Sequence, residues 1–170
     1  SDGDRDVFIA NGHLESDVES YENTTFAQRN QIFENVGEGR FEERESSSAD
    51  DGLAVRKVSR GAAFGDYDED GDIDILVANV GDGPTLMRND TEDSHNWLRI
   101  RLLGKRSNGA AIDTRVEVYS GSLVQTDQVR SGASYLSQSD LRLHFGLGKA
   151  ERVDKLVVYW PSGHVEEVVD

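Results

Sequence analysis

One acidic segment in the middle of the chain has the residue types and the spacing of a cation-binding loop. Carboxylates recur at alternate positions of a nonapeptide, residues 66–74, and its sixth residue is glycine. Calcium takes about six to eight oxygen ligands, and a tightly curled loop offers them from positions 1, 3, 5, 7 and 9. The segment therefore predicts a calcium site formed by Asp66, Asp68, Asp70, Asp72 and Asp74.

Each position of this loop has an expected role. Gly71 permits a sharp turn because it has no Cβ. We expect Asp72, at position 7, to contribute its backbone carbonyl, whereas the other four aspartates contribute carboxylates. Five aspartates within nine residues repel one another strongly without a cation, which is a physical reason to expect one. The alternative is a solvated acidic turn without metal, which the spacing and the glycine disfavour.

The flanking sequence predicts strands on both sides of the loop. An EF-hand requires a bidentate glutamate at position 12 and two flanking helices. Position 12 is Val77, which lies in the alternating, β-branched run Ile73–Ala78. The predicted order is a strand, the acidic loop and a second strand. This order, together with the sequence from Phe64-Gly65-Asp66 to Asp74, resembles the FG-GAP (VCBS) repeat of integrin-type β-propellers. The resemblance implies propeller-blade strands and a calcium loop between them.

An internal repeat accompanies the loop. Residues Asp2–Asn11 match Asp70–Asn79 at an offset of 68, and Ile32–Asn35 match Leu86–Asn89 at an offset of 54. The difference of 14 lies in the polar stretch His13–Thr25, which we interpret as an insertion loop.

The N-terminal copy of the loop is incomplete. Asp2, Asp4 and Asp6 align with positions 5, 7 and 9, so this half loop is a weaker metal candidate. A propeller blade takes about 40–50 residues and a ring needs several blades. We therefore expect a C-terminal fragment of a longer protein. Its exposed strand edges would be covered by a neighbour, by the second half or by disorder. A separate hypothesis is that these edges join other chains and set an oligomer.

Charge divides the chain into two parts. Residues 1–95 contain 24 acidic and 8 basic side chains, whereas residues 96–170 contain 9 and 10. We predict two domains, 1–95 and 96–170, joined by the polar stretch Asn89–Asn96. The net charge of −15 disfavours a nucleic-acid partner. The chain has no cysteine and no apolar run near the roughly 18 residues of a membrane span.

The second half predicts an antiparallel β-sandwich. About six short runs alternate apolar and polar residues, and Leu98, Ile100 and Leu102 define a buried face of the first run. A Ser120-Gly121-Ser122 turn predicts one hairpin, and Pro161-Ser162-Gly163 a second. The predicted fold class is all-β: one or more partial β-propeller blades followed by a C-terminal antiparallel β-sandwich.

This half resembles the ASPIC/UnbV domain over nearly its full length. Four short motifs carry the resemblance: Asn96-Trp97-Leu98, Ser131–Gln138, His144–Gly148 and Trp160–Gly163. FG-GAP repeats followed by this domain resemble the cartilage acidic protein family and its bacterial relatives. The chain departs from the domain at Asp113, where the family favours a glycine.

Two further groups of residues are candidates for chemistry. His144 is either a general base or, as we favour, an exposed or edge histidine. The polar cluster beside Tyr135 either binds a sugar or peptide, or is a loop whose hydroxyls cap its own backbone. We favour the second reading for this cluster, which comprises Ser134, Ser137, Gln138, Ser139 and Asp140.

These features favour a non-catalytic, calcium-binding module outside the cytoplasm, extracellular or periplasmic, which binds an unidentified protein or glycan. Calcium sites of extracellular modules have dissociation constants of roughly 10⁻⁴–10⁻³ M and fill only outside the cytoplasm. The alternative is part of a carbohydrate- or secondary-metabolite-active enzyme whose catalytic residues lie outside these 170 residues.

Overall fold

The computed structural model describes residues 3–46, 51–91 and 95–169. The predicted metal candidate Asp2 and part of the predicted Asn89–Asn96 linker lie outside these ranges. Strands dominate the described residues, and two single-turn 3₁₀ helices are present, Val18–Ser20 and Gly52–Ala54. None of the helices in the described part of the chain has the length and apolarity needed to cross a membrane.

The chain forms two compact units whose sequence ranges interleave. The repeat unit contains Arg5–Asn89 together with Ser134–Ser139. The C-terminal unit contains Asp90–Ala133 and Asp140–Asp170, and also Gly3 and Asp4. The division into domains 1–95 and 96–170 therefore stays a prediction. It did not anticipate that Ser134–Ser139 belong to the repeat unit.

The described residues of the repeat unit form eight strands, all of them paired antiparallel. One three-stranded sheet has the order β1-β3-β4, a second has the order β6-β7-β8, and β2 pairs with β5. The strands are β1 (Val7–Ile9), β2 (Gln28–Arg29), β3 (Gln31–Asn35), β4 (Phe41–Glu43), β5 (Arg56–Lys57), β6 (Ser59–Gly65), β7 (Asp74–Asn79) and β8 (Thr85–Met87).

One strand pair in each three-stranded sheet of the repeat unit reproduces the internal repeat of the sequence. Val7 faces Phe33 in the β1–β3 pair, and Ile75 faces Met87 in the β7–β8 pair. These pairs are equivalent under the offsets of 68 and 54. The insertion falls between β1 and β2 and is anchored by Val18, which is fully buried. The predicted repeat and its insertion loop are both present.

Equivalent asparagines, Asn11 and Asn79, link the end of the first strand of each pair to the start of the second strand. Nδ2 of Asn11 donates to Oε1 of Gln31 at 2.9 Å and to the carbonyl of Arg29 at 3.0 Å. Nδ2 of Asn79 donates to Oγ1 of Thr85 at 3.0 Å and to the carbonyl of Gly83 at 2.9 Å. Because each partner matches its equivalent, the repeat extends to side-chain hydrogen bonds.

In the C-terminal unit, the part of the chain that the structure describes forms six strands. A four-stranded antiparallel sheet has the order β11-β10-β13-β14, and β12 pairs with β9. The strands are β9 (Asn96–Ile100), β10 (Arg115–Ser120), β11 (Leu123–Gln128), β12 (Leu143–Gly148), β13 (Lys155–Tyr159) and β14 (Val165–Val169). Both predicted hairpins are present, because Ser120 pairs with Leu123 and Tyr159 pairs with Val165.

One apolar core holds this unit together. Alternate residues of the strands point inward from both sheets, as an antiparallel sandwich requires. Leu98, Ile100 and Leu102 pack against this core as the alternation predicts. Its buried members are Val116, Val118, Val129, Leu143, Phe145, Leu147 and Val158. The all-β prediction, with blade-like sheets and a C-terminal sandwich, is confirmed.

Candidate metal centre

The acidic loop is the connection between the two longest strands of the repeat unit. Strand β6 ends at Gly65, which pairs with Asp74 at the start of β7. The loop therefore leaves and re-enters one sheet at neighbouring positions. Gly71 has φ of 101°, in the left-handed region that favours glycine. Glu69 also has positive φ, 64°, so the chain curls tightly at two points of the loop.

Three carboxylates of the loop converge on one point. Asp66, Asp68 and Asp74 each place one oxygen within 4.8 Å of the others. Asp66 and Asp74 are only 2% exposed, whereas Asp68 is exposed. Buried carboxylates are costly unless they are hydrogen-bonded, paired or bound to a metal. Two buried acids beside a third are an arrangement that a cation would stabilise.

Backbone amides orient the two buried carboxylates. Oδ2 of Asp66 accepts from the N–H of Gly71 at 3.1 Å. Asp74 accepts from two amides: that of Tyr67 at Oδ2, 3.0 Å, and that of Asn89 at Oδ1, 2.9 Å. Both carboxylates are thus fixed by the fold before any ligand arrives, as a preorganised binding group must be.

The charged form of Asp68 is disfavoured in the folded loop. Desolvation within the loop raises the pKa of Asp68 most, and the negative charges of Asp70 and Asp74 raise it further. A backbone hydrogen bond of Asp68 and the positive charge of Arg88 oppose this rise in pKa. An all-oxygen, anionic donor set of this kind fits a hard divalent cation, calcium first among them.

Among the described residues, the other predicted metal ligands are not part of this cluster. Oδ1 of Asp70 accepts from the N–H of Asp72 at 2.9 Å, an Asx turn inside the loop. At the N-terminal half loop, Asp4 is exposed and Oδ1 of Asp6 accepts from the N–H of Asn35 at 2.8 Å. The sequence motif contains Asp66, Asp68 and Asp74, whose carboxylates the structure brings together. It could not identify the amide of Asn89, which lies 15 residues after Asp74.

His144 and the polar cluster beside Tyr135, the two remaining candidate groups, make contacts that stabilise the fold. His144 lies on β12, an edge strand of the β12–β9 pair, as one form of the favoured reading has it, but it is not exposed. Both its ring nitrogens are buried, and its ring stacks on Trp97 with centroids 5.7 Å apart. Oγ of Ser137 donates to the carbonyl of Tyr135 at 2.7 Å, so this hydroxyl caps its own segment as expected. The hydroxyls of Ser137 and Ser139 also accept from the amides of Ala62 and Phe64, a long-range contact that the sequence does not predict.

Two family models match the chain in sequence. Residues 1–77 match the FG-GAP-like repeat, and residues 104–170 match the ASPIC and UnbV model. The chain carries an FG-GAP-like repeat followed by an ASPIC and UnbV domain. The FG-GAP-like match contains the whole acidic loop, and the ASPIC and UnbV match contains β10 to β14.

The same order of domains links the chain to two curated relatives. It is 28% identical over 119 residues to cartilage acidic protein 1 of Mus musculus and of Homo sapiens. The match covers 66% of this chain. It covers only 18% of the mouse protein and 17% of the human protein. The chain therefore spans less than a fifth of either relative.

Proposed function

We propose that the FG-GAP-like segment binds calcium at the acidic loop and that the whole chain is a non-catalytic, extracellular binding or scaffolding module. The observation that carries this proposal is the convergence of Asp66, Asp68 and Asp74 within 4.8 Å. Two of these carboxylates are buried and held by backbone amides, so their orientation does not depend on the ion. The set consists of anionic oxygens that lie close together, and such a donor set favours the binding of a hard divalent cation.

In this proposal the three carboxylates would hold the cation, and its charge would offset their mutual repulsion. The rest of the coordination sphere would come from other loop oxygens, for which Asp70 and the carbonyl of Asp72 are the candidates from sequence. The ion would join the end of β6 to the start of β7. A site of this class has a dissociation constant of roughly 10⁻⁴–10⁻³ M and fills outside the cytoplasm.

The module's ligand is proposed to be a protein or a glycan. Self-association through strand edges stays a prediction. The strands β4 and β14 lie at sheet edges with every residue exposed, and both carry two adjacent glutamates. Charged side chains on an edge are a common way of preventing edge-to-edge pairing. Sedimentation at several protein concentrations tests whether the chain associates.

Thermal melting in calcium and in EGTA tests the metal proposal. A ligand that binds only the folded state adds about 2.7 kcal/mol of stability at a concentration 100 times its dissociation constant. The melting temperature should therefore rise with calcium concentration. Asp68→Asn should remove the rise, and the matched control Asp82→Asn should retain it. Asp82 lies outside the loop and pairs with Lys57 at 3.3 Å. Identical melting curves in EGTA and excess calcium would overturn the proposal.

A further inference from the structure

The outer edge of strand β6 is covered by side-chain hydroxyls instead of another strand. β6 lies at one end of the β6-β7-β8 sheet. The N–H of Ala62 donates to Oγ of Ser137 at 2.9 Å, and the N–H of Phe64 donates to Oγ of Ser139 at 3.2 Å. These donors are two residues apart, as are the acceptors. Since residues i and i+2 of a strand lie on the same side, the serine spacing matches the repeat of a strand edge.

The segment that carries these serines is itself internally fixed. Oγ of Ser137 donates to the carbonyl of Tyr135, and its N–H donates to the carbonyl of Ser134 at 3.2 Å. Ser134 and Ser137 thereby form a one-residue β-bridge around Tyr135 and Leu136. Leu136 has φ of 48°, a left-handed conformation that is rare for leucine. Strain of this kind persists only where surrounding contacts impose it.

Strand β6 is shaped to receive this segment. A Cβ on Gly61 would lie 2.9 Å from Oγ of Ser137 and 3.1 Å from the carbonyl oxygen of Leu136. The second contact is with backbone, which cannot move aside cheaply. A side chain at position 61 would therefore require the segment to shift by a few tenths of an ångström, and glycine permits the close approach without this shift.

The two hydrogen bonds lie at the base of the acidic loop. Phe64 precedes Asp66 by two residues and pairs with Ile75 across β7. The ring of Phe64 also packs edge-to-face on Phe8, with centroids 6.1 Å apart. Ser139 thus fixes the free side of the strand from which the first carboxylate of the metal cluster emerges.

We propose that Ser137 and Ser139, within the ASPIC and UnbV match, are positioning residues for the acidic loop of the FG-GAP-like repeat. Their hydroxyls replace a neighbouring strand along β6 and hold the loop's first aspartate where the other two carboxylates meet it. The role in metal affinity rests on the proposed calcium function. The role as an edge cap does not, because it follows from hydrogen bonds to the backbone of β6.

The test uses the full chain and two measurements. Amide hydrogen exchange in EGTA reports on the edge of β6, and calorimetric titration with calcium reports on the loop. Ser139→Ala should accelerate exchange at Phe64 by about tenfold, since the amide loses its hydrogen-bond partner. Ser137→Ala should do the same at Ala62. The double variant should bind calcium several-fold more weakly, and Ser139→Thr, which keeps a hydroxyl, should restore protection at Phe64.

A second pair of variants approaches the contact from the strand. Gly61→Ala should accelerate exchange at Ala62 and weaken calcium binding, because the new methyl group displaces the serine segment. Gly83→Ala is the matched control: an added Cβ there has nothing within 4 Å, and the position has no left-handed φ. It should leave both measurements unchanged.

The outcomes separate the two proposals. If the wild-type chain binds no calcium, the calcium function fails, and the exchange data still decide whether the serines cap β6. If exchange accelerates but the variants bind calcium as tightly as wild type, the positioning role is wrong. Unchanged exchange at Ala62 and Phe64 in the serine variants would overturn the edge cap itself.

Discussion

The backbone N–H of Asn89 donates a 2.9 Å hydrogen bond to Oδ1 of Asp74, which joins the residues after β8 to the metal cluster. The same bond recurs in the first copy of the repeat, from the N–H of Asn35 to Oδ1 of Asp6 at 2.8 Å. The two pairs are equivalent in sequence, and their strands share one register. The last aspartate of the loop therefore has a structural task in both copies, independent of any metal.

Asp74 should contribute more to stability than its equivalent, even without metal. Asp74 is buried and accepts from two amides, whereas Asp6 is exposed and accepts from Asn35. Hydrogen bonds to charged groups are worth about 1.5–3 kcal/mol each, and relief of loop repulsion offsets part of their loss. We expect Asp74→Ala to cost about 1–3 kcal/mol in urea unfolding with EGTA, and Asp6→Ala distinctly less. Equal losses from the two variants would contradict this assignment.

Asp68, unlike Asp74, should destabilise the folded protein when no metal is bound. Its pKa is raised by desolvation first and then by Asp70 and Asp74, so its ionised form is disfavoured in the folded loop. Asp68→Asn removes that charge while retaining the shape of the side chain. The variant should melt at a higher temperature than wild type in EGTA and should show no further rise with calcium. A variant that melts lower than wild type in EGTA would show that repulsion at Asp68 does not limit stability.

The acidic loop and the strands could be predicted because their signals are local. Alternate carboxylates with a glycine sixth identify Asp66–Asp74, and three of these residues converge. Period-2 alternation identifies β9 and places Leu98 and Ile100 toward the core. The repeat could be predicted because similar residues at similar spacing form the same local structure. The side-chain amides of Asn11 and Asn79, for example, make equivalent hydrogen bonds.

Contacts between distant parts of the chain could not be predicted. Ser137 and Ser139 lie 75 residues from their partners, and nothing in a serine-rich turn indicates which edge it will meet. The surroundings of His144 depend on the pairing of β12 with β9, which alternation does not specify. Asp113 is an intermediate case. Its φ of 74° gives a physical reason for the family's glycine at this position.

Strain at Leu136 predicts a stabilising substitution. A left-handed conformation costs an L-residue roughly 1–2 kcal/mol relative to the right-handed one, and glycine avoids this cost. The side chain of Leu136 is 81% exposed, so removing it forfeits little burial. After the entropy that glycine adds to the unfolded chain, Leu136→Gly should be about 0.5–1 kcal/mol more stable than wild type in urea unfolding. Leu136→Ala keeps the Cβ and should show no such gain; a gain of equal size there would place the cause elsewhere.

A hydrogen-bonded network covers the outer face of the four-stranded sheet. Oε2 of Glu117 accepts from the hydroxyl of Tyr119 at 2.8 Å and from that of Tyr159 at 3.1 Å. Arg115 lies 4.0 Å from the centroid of the Tyr159 ring, and Lys155 lies 4.5 Å from that of Tyr119. The hydrogen bond from Tyr119 lowers the pKa of Glu117 most, desolvation opposes it, and Tyr159 and the two cations lower it further.

This network should make stability depend on acid pH. A carboxyl whose pKa is lower in the folded state adds stability above its unfolded pKa, about 4.3 for glutamate, and loses that stability as pH falls through the folded pKa. Unfolding free energy should therefore fall with pH below about 5 partly because Glu117 is protonated. Glu117→Gln should show a shallower decline than wild type over this range, measured by urea unfolding at successive pH values.

Tyr119→Phe separates the charge of Glu117 from its hydrogen bonds. The variant keeps the carboxylate, the ring and the stacked Lys155 but removes the donor that contributes most to the lowered pKa. It should lower the unfolding free energy at neutral pH and should make the acid decline of that free energy shallower, though less so than Glu117→Gln. If the unfolding free energy of Glu117→Gln instead falls with pH as steeply as that of wild type, the acid sensitivity comes from other carboxylates. The network would then stabilise the sheet only through its packing.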